Sequence, residues 1–283
     1  MLPRLVPMTR SRASRLMVPV LVVGLTATGA VLGTRWAAAE LSPSRCVFTA
    51  AGEEVRLTPE QAANAGTIAA VSVQRGLPPR AASIALATAI QESKLRNLRY
   101  GDADSQGLFQ QRPSQGWGSV EQITDPVYAS NAFYDALVQV EGWDQGVVTE
   151  VAQEVQRSAF PEAYADHEQE GRVLASILTG QEGTGTDLTC RVADETQAGS
   201  AQALADKALA QLGMPAQVDG QTVVLDPGDA RQAWAAATWA VTHAQAEDVG
   251  SVRVQGRAWD RRSGEWSDVD GEGSPTAVVV EVG

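Results

Sequence analysis

Apolar residues in the middle of the chain recur every three or four positions, which predicts a series of helices. The first helix is expected to begin at Thr58-Pro59, where Thr58 is an N-cap and Gln61 completes a capping box, and to end at Gly76. A second helix is predicted over 79–97. Further helices are predicted from Asp125-Pro126 onward, at about 147–158 and at about 161–179.

Beyond residue 200 the pattern changes to helices that alternate with short strands. Helices are predicted at 201–212 and 229–246, and strands at 221–225, 251–259 and 276–282. The expected fold class is therefore α+β.

Three segments follow from this change: a mainly α-helical domain over 40–190, a linker over 191–200 and a small α+β domain over 201–283. Trp234 is expected in the core of the second domain and Trp239 on its surface. An exposed Trp239 offers a face for carbohydrate or for another envelope protein, and aromatic packing is the alternative.

The N-terminus has the pattern of an export signal, because four arginines precede an uncharged stretch from Leu16 to Thr34. Residues 1–39 are either a signal peptide or an N-terminal membrane anchor. The alanines at 37–39 fit a cleavage site, whereas the uncharged length is close to the ~20 residues that span a bilayer. Both alternatives place the remaining chain outside the cytoplasm, secreted or anchored to the cytoplasmic membrane.

Export changes the interpretation of the only two cysteines, Cys46 and Cys190. In an oxidising compartment two cysteines usually pair, so we expect a disulfide; two free thiols are the alternative. The chain has two histidines and no cluster of cysteine and histidine, so neither a metal site nor a cofactor is predicted. The net charge of −12 argues against a nucleic-acid partner, because such a surface repels phosphates.

Glu92 is the main candidate for chemistry. It shares the apolar face of the second helix with Ala85 and Ala89, and a carboxyl group among apolar side chains holds its proton to a higher pH. Cleavage of a glycosidic bond requires such an acid to protonate the leaving oxygen. Thr88, one turn earlier, is expected to offer its hydroxyl to this carboxyl group. The alternative is a solvated charge at a helix end.

The residues around Glu92 form an ordered set of motifs. They are Glu92-Ser93, Ser105, Gly107-Leu108-Phe109-Gln110, Pro113, Asp125-Pro126 and Tyr134. Over about 50 residues this order resembles the soluble lytic transglycosylases of the lysozyme-like superfamily. More loosely, the chain looks like a group of actinobacterial envelope proteins with the same Gly-Leu-Phe-Gln-Gln-Arg-Pro run.

The resemblance implies a lysozyme-like fold for the first domain, peptidoglycan glycan strands as substrate, and Glu92 as a single general acid and then base. Gln110 and Ser105 would orient the glycan, and closure of the sugar's C6 hydroxyl onto C1 would give an anhydro product. Phe109 replaces the usual Met, and the later Ala-Tyr-Asn-Ala-Gly signature is absent; 155–164 stands in its place.

Further substrate contacts are expected from Gln111, Trp117 and Tyr134. Arg112 is a candidate for sugar hydroxyls or a peptide carboxylate, and equally for an internal ion pair with a nearby aspartate. Asp102 and Asp104 either supply the second carboxylate of a hydrolase or form Asx turns. Trp117 either stacks on a sugar ring or fills space beneath its loop.

Three hypotheses remain open on the sequence. The first is an extracytoplasmic lytic transglycosylase or muramidase that cleaves peptidoglycan. The second is a module that binds peptidoglycan without cleaving it, with the C-terminal domain docked on an envelope protein. The third is a scaffold protein in which Glu92 is a structural helix-end residue without glycan affinity.

Overall fold

A computed structural model describes residues 44–156, 161–182, 187–193, 199–270, 274 and 276–283. For 161–163 it describes the backbone only. The predicted export signal at 1–39 lies outside these residues. Helices dominate the first part and a β-sheet the second, which confirms the α+β class. Within the described ranges, none of the helices combines the length and the apolarity that a membrane crossing requires.

The helices are α1 (Pro59–Gln74), α2 (Pro79–Ser93), α3 (Val120–Ile123), α4 (Pro126–Leu137), α5 (Val148–Gln156), α6 (Glu168–Leu178), α7 (Ala201–Leu212), α8 (Ala230–Thr242) and α9 (Ala244–Glu247). Short 3-10 helices cover Pro113–Gln115 and Pro161–His167. The strands are β1 (Arg45–Ala50), β2 (Glu53–Leu57), β3 (Leu188–Arg191), β4 (Ala216–Asp219), β5 (Thr222–Leu225), β6 (Val249–Val254), β7 (Arg257–Asp260), β8 (Glu265–Asp268) and β9 (Val278–Val282).

Helix α1 begins as its sequence predicts. The Thr58 hydroxyl accepts from the Gln61 backbone N–H at 3.3 Å, and Gln61 Oε1 accepts from the Thr58 N–H at 2.9 Å, so the capping box is formed. The left-handed φ of Gly76, +64°, follows the helix end.

Helix α2 ends four residues earlier than predicted. Lys94 and Leu95 turn out of the helix with left-handed φ values of 54° and 56°. Their carbonyl groups accept from the side chains of Gln61 and Asn64 on α1, at 2.8 Å each. Contacts with a neighbouring helix therefore hold the end of α2, in addition to its own periodicity.

The centre of α2 is enclosed on all sides, because every residue from Ala81 to Ile90 is buried. The closest neighbour is α6, which approaches through Gly171. A Cβ atom at position 171 would lie 2.6 Å from the Ser83 carbonyl oxygen, so only glycine allows this approach. Helix α2 is thus a fixed support for the residues at its C-terminal end.

Two antiparallel sheets complete the fold. The first has the order β2-β1-β3 and pairs Cys46 directly with Cys190 across β1 and β3. These two cysteines form the predicted disulfide, which is confirmed. The second sheet has the order β4-β5-β9-β6-β7-β8, and its inner strands β5 and β9 alternate buried and more exposed residues.

Helix α8 lies between the second sheet and α1, so every residue from Ala233 to Ala244 is buried. The prediction that Trp239 is exposed is therefore wrong: 1% of it is accessible, and its indole N–H donates to Gln211 Oε1 at 2.7 Å. Trp234 is buried as expected. A helix that is covered on two sides has no free face for a partner.

Helices α1 and α8 approach closely at Gly66, where an added Cβ would lie 2.3 Å from Thr242 Oγ1. The chain from Ser44 to Gly283 packs as one compact unit. The proposed division into domains at 191–200 stays a prediction, and 194–198 of that segment lie outside the described residues.

Candidate active site

Glu92 lies in the last turn of α2, and its side chain is partly buried. Tyr164, in the 3-10 helix Pro161–His167, donates its hydroxyl to Glu92 Oε1 at 2.7 Å. Tyr164 itself is 1% exposed, so the phenol has a fixed position. An enclosed donor of this kind orients the carboxyl group.

Gln156, the last residue of α5, is the second partner of Glu92. Its side-chain amide also donates to the Phe109 carbonyl oxygen at 2.7 Å. Gln156 therefore connects the carboxyl group to the Gly-Leu-Phe-Gln loop. Three separate parts of the chain, α2, α5 and the 3-10 helix, converge on one carboxyl group.

Burial raises the pKa of Glu92 above its ordinary value of 4.5, and this effect outweighs the hydrogen bonds from Tyr164 and Gln156, which lower it. The carboxyl group therefore stays protonated to a higher pH than a solvated glutamate. A protonated carboxyl group that is held in a fixed orientation is suited to donate a proton to a bound molecule. Thr88 takes no part, contrary to expectation, because it is buried and its hydroxyl donates to the Ile84 carbonyl at 2.8 Å.

Ser93 anchors the loop that follows α2. Its hydroxyl lies 2.7 Å from the Leu108 carbonyl oxygen and 3.0 Å from that of Ala89, so it links the loop to the helix end. Gly107 has a φ of +82°, and a Cβ there would lie 2.1 Å from the Ile123 carbonyl oxygen. The Glu-Ser and Gly-Leu-Phe-Gln motifs are therefore joined in space.

Gln110 lies beside this group. Its side-chain amide donates to the carbonyl oxygens of Gly107 at 3.2 Å and Tyr100 at 3.4 Å, and it remains partly exposed. Ser105 is 7% exposed beneath the same loop, and its backbone N–H donates to the Asp102 carbonyl. Gln110 directly follows Phe109, whose carbonyl oxygen accepts from Gln156.

Two other predicted contacts lie in the core. Gln111 is 1% exposed and donates to the Ala129 carbonyl at 3.1 Å. Tyr134 is fully buried and donates to the Ile68 carbonyl at 2.9 Å. Both side chains tie α4 to its neighbours instead of facing a ligand. Trp117 is partly buried and packs against the core, which corresponds to the space-filling interpretation of this residue.

Asp104 forms an ion pair with Arg112 at 2.8 Å and accepts from the backbone and hydroxyl of Ser114 at 2.8 and 2.9 Å. Arg112, the first cause, and Ser114 lower the pKa of this carboxyl group to about 2. Arg112 is thus an internal partner, and an aspartate that is ionised at all ordinary pH values cannot donate a proton.

Sequence reasoning placed Gln156 and Tyr164 in the segment 155–164 that replaces the family signature but missed their contact with Glu92, since neither belongs to a local motif with it. It also missed the surface of the segment between α2 and the loop. Lys94, Arg96 and Arg99 are exposed there, none of them has an acidic partner among the described residues, and Tyr100 is 69% exposed. A run of exposed cations in an acidic protein was visible in the sequence and is a signal for a negatively charged ligand.

Within the described ranges, no group of three or more histidine, cysteine, aspartate or glutamate residues is arranged to hold a metal ion. No protein-family model matches this chain, and no curated protein is similar to it.

Proposed function

We propose that this protein cleaves the glycan strands of peptidoglycan outside the cytoplasm, with Glu92 as the single general acid and base. The observation that carries the proposal is the partly buried carboxyl group of Glu92, whose pKa is raised by burial and whose Oε1 accepts from Tyr164. Asp104, one of the two carboxylates considered for the second role in a hydrolase, is held in an ion pair with Arg112 and is not available as a proton donor.

In the proposed reaction, Glu92 first donates its proton to the glycosidic oxygen, and the bond between C1 and that oxygen breaks. The electron pair leaves with the oxygen, and C1 takes on oxocarbenium character. The carboxylate then accepts a proton from the group that attacks C1. Attack by the sugar's own C6 hydroxyl gives an anhydro product, and attack by water gives a reducing end.

Tyr164 and Gln156 support both steps, because their hydrogen bonds stabilise the carboxylate that forms when the proton leaves. Gln110 donates to the backbone carbonyl of Tyr100, and the side chain of Tyr100 is exposed. A sugar needs hydrogen bonds for its hydroxyls and stacks its face on aromatic rings, so Gln110 and Tyr100 are the side chains that we propose for its contacts.

The proposal is tested with purified sacculi and mass spectrometry of the soluble products. The wild-type exported chain should release muropeptides, and Glu92→Gln should release none. Glu154→Gln is the matched control, because Glu154 is exposed on α5 two residues before Gln156 and should retain full activity. Anhydro ends would indicate transglycosylation, and reducing ends hydrolysis.

If sacculi retain the wild-type protein and no product appears at any pH, the protein binds glycan without cleaving it, and this proposal is wrong. Retention should then be equal for Glu92→Gln. Protein that neither binds nor releases material would leave only the scaffold hypothesis.

A further inference from the structure

A cavity that does not include Glu92 lies between α1, the start of α4, α7 and α9 and has a volume of about 750 Å³. This volume is within the range of pockets that bind small molecules. Its walls are largely apolar and include Ala63, Ala203 and Ala210. Nothing in the proposed cleavage reaction uses this cavity.

Three polar side chains, Thr67, Gln211 and His243, line the cavity although they are 3%, 7% and 2% exposed. Gln211 Oε1 accepts from the Trp239 indole at 2.7 Å, and this bond fixes the orientation of the amide. The Thr67 hydroxyl lies 3.0 Å from the Ala63 carbonyl oxygen and 3.1 Å from Gln211 Oε1, and its single proton serves one of the two. The amide nitrogen of Gln211, Nε2, bonds to none of the described residues, so two N–H donors are available at the floor of the cavity.

His243 supplies a hydrogen-bond acceptor, whereas Gln211 supplies donors. Its Nδ1 lies 2.8 Å from the Trp239 carbonyl oxygen, which only accepts, so Nδ1 carries the proton and Nε2 is an acceptor. Burial lowers the pKa of His243 to about 4, which keeps the ring neutral. The nearest donor to Nε2 is the Thr67 hydroxyl at 3.4 Å, a long contact. The floor therefore offers a donor and an acceptor, both uncharged.

The rim of the cavity is negatively charged. Glu60, Asp125 and Asp206 line it, and no basic side chain of the described part of the chain pairs with them. One oxygen of Asp125 caps α4, and Asp206 accepts from the Gln202 side chain at 2.8 Å. Lys207 also lines the cavity, and its ammonium group forms an ion pair with Glu247. The cavity therefore attracts a cation at its mouth and an uncharged polar group at its floor.

We propose that this cavity binds an amide of a basic amino acid, with the amide at Gln211 and His243 and the protonated side chain at Glu60 and Asp206. An amide carbonyl accepts from Gln211 Nε2, and an amide N–H donates to His243 Nε2, so one amide group satisfies both side chains. The aliphatic part of a lysine-like side chain fits the alanine walls, and its ammonium group reaches the rim carboxylates.

The test uses Nα-acetyl-lysine amide as the probe and follows the Trp239 indole N–H resonance by NMR. This indole bonds to Gln211, so occupancy of the floor changes its environment. We expect a saturable shift at millimolar probe. Nα-acetyl-norleucine amide, which lacks the ammonium group, and pentylamine, which lacks the amide, should each bind at least about fivefold more weakly.

Asp206→Asn should also weaken binding about fivefold without a change in Tm, because Asp206 is exposed. Asp219→Asn, an exposed aspartate of β4 outside the cavity, is the matched control. A tripeptide with a central lysine tests the size of the ligand. Tighter binding of the tripeptide than of the single residue would indicate a peptide ligand, and weaker binding a free amino-acid amide. An unchanged indole resonance, or equal shifts with lysine and norleucine probes, would overturn the proposal.

Discussion

At Glu92, burial and hydrogen bonding act on one carboxyl group in opposite directions. Burial raises the pKa and is the larger effect, while the hydrogen bonds from Tyr164 and Gln156 limit the rise. The balance matters because a general acid must hold its proton before the reaction and release it during the reaction. The hydrogen bond from Tyr164 therefore limits how far the pKa of Glu92 rises.

Replacing Tyr164 with phenylalanine removes the donor and keeps the ring. The pKa of Glu92 should then rise further, so the alkaline limb of the activity profile should move to higher pH, while the maximal rate falls because the carboxylate loses its partner. The measurement is the rate of muropeptide release as a function of pH. Tyr128→Phe serves as the control and should leave the profile unchanged; an alkaline limb that moves to lower pH would contradict the assignment.

Glu92 also makes the stability of the fold depend on pH. Its pKa is higher in the folded than in the unfolded chain, so the folded state binds more protons, and stability falls as the pH rises from 4.5 through the raised pKa. Glu92→Gln removes this loss, and its Oε1 still accepts from Tyr164. The variant should be at least as stable as the wild type at neutral pH, with the difference gone below pH 4.5. Thermal unfolding at both pH values checks this.

A lower Tm for Glu92→Gln at neutral pH would instead assign the residue a structural role. That outcome favours the scaffold hypothesis over cleavage, independently of any activity assay.

The sequence identified Glu92 but not its partners, and the reason is their separation. The buried face of α2 is encoded locally, so the position of a carboxyl group on it was predictable. Tyr164 is 72 residues away, and its contact depends on how the 3-10 helix packs against α2. For the same reason the burial of Gln111 and Tyr134 was not predicted, because their side chains donate to the carbonyl groups of Ala129 and Ile68, which are distant in the sequence.

Among the helices, ends that are set by local caps were predictable and ends that are set by neighbours were not. The Thr58 capping box and the Asp125 cap of α4 are formed as their sequences indicate. The end of α2 depends on Gln61 and Asn64 of α1, so periodicity alone extended it too far. Pairwise packing of α2 with α1 and α6 thus places the residue that we propose as catalytic.

Gly171→Ala tests this packing at the contact of α6 with α2. Helix propensity alone would favour alanine by up to about 1 kcal/mol. The added Cβ would lie 2.6 Å from the Ser83 carbonyl oxygen and 2.9 Å from the Ala87 nitrogen, both of which are backbone atoms. Overpacking should dominate, with a net loss of about 1–3 kcal/mol in the free energy of unfolding.

Urea unfolding measures this change, and muropeptide release should fall with it because α2 carries Glu92. Gly228→Ala is the matched control, since nothing lies within 4 Å of its Cβ position. A Gly171→Ala protein that is more stable than the wild type would mean that α2 and α6 can move apart without a loss in the free energy of unfolding.

Over the whole molecule, the disulfide connects residues that are 144 positions apart and closes a loop that contains the entire Glu92 site. In the chain-entropy account, this contributes about 4–5 kcal/mol by restricting the unfolded state. The Cys46→Ala/Cys190→Ala double variant should lose stability of this order in urea unfolding. Folded protein should still cleave at low temperature, because neither cysteine contacts α2, α5 or Tyr164 through a hydrogen bond. Loss of activity without loss of stability would contradict this.

His243 connects α1 and α8 across the centre of the molecule and opposes Glu92 in its response to pH. Its pKa falls from 6.5 to about 4 on folding, chiefly through burial, so the unfolded chain binds more protons and stability is lost as the pH falls from 6.5 to about 4. Over that window the loss reaches about 3 kcal/mol. Glu92 acts in the opposite direction as the pH rises from 4.5, so the two contributions oppose each other where their pH ranges overlap. In His243→Gln the loss of unfolding free energy between pH 6.5 and about 4 should disappear, whatever the absolute stability. In Glu92→Gln the opposite loss, which begins above pH 4.5, should disappear. A loss between pH 6.5 and 4 that persists without His243 would assign it to another group, since Asp104 acts only below pH 3.8.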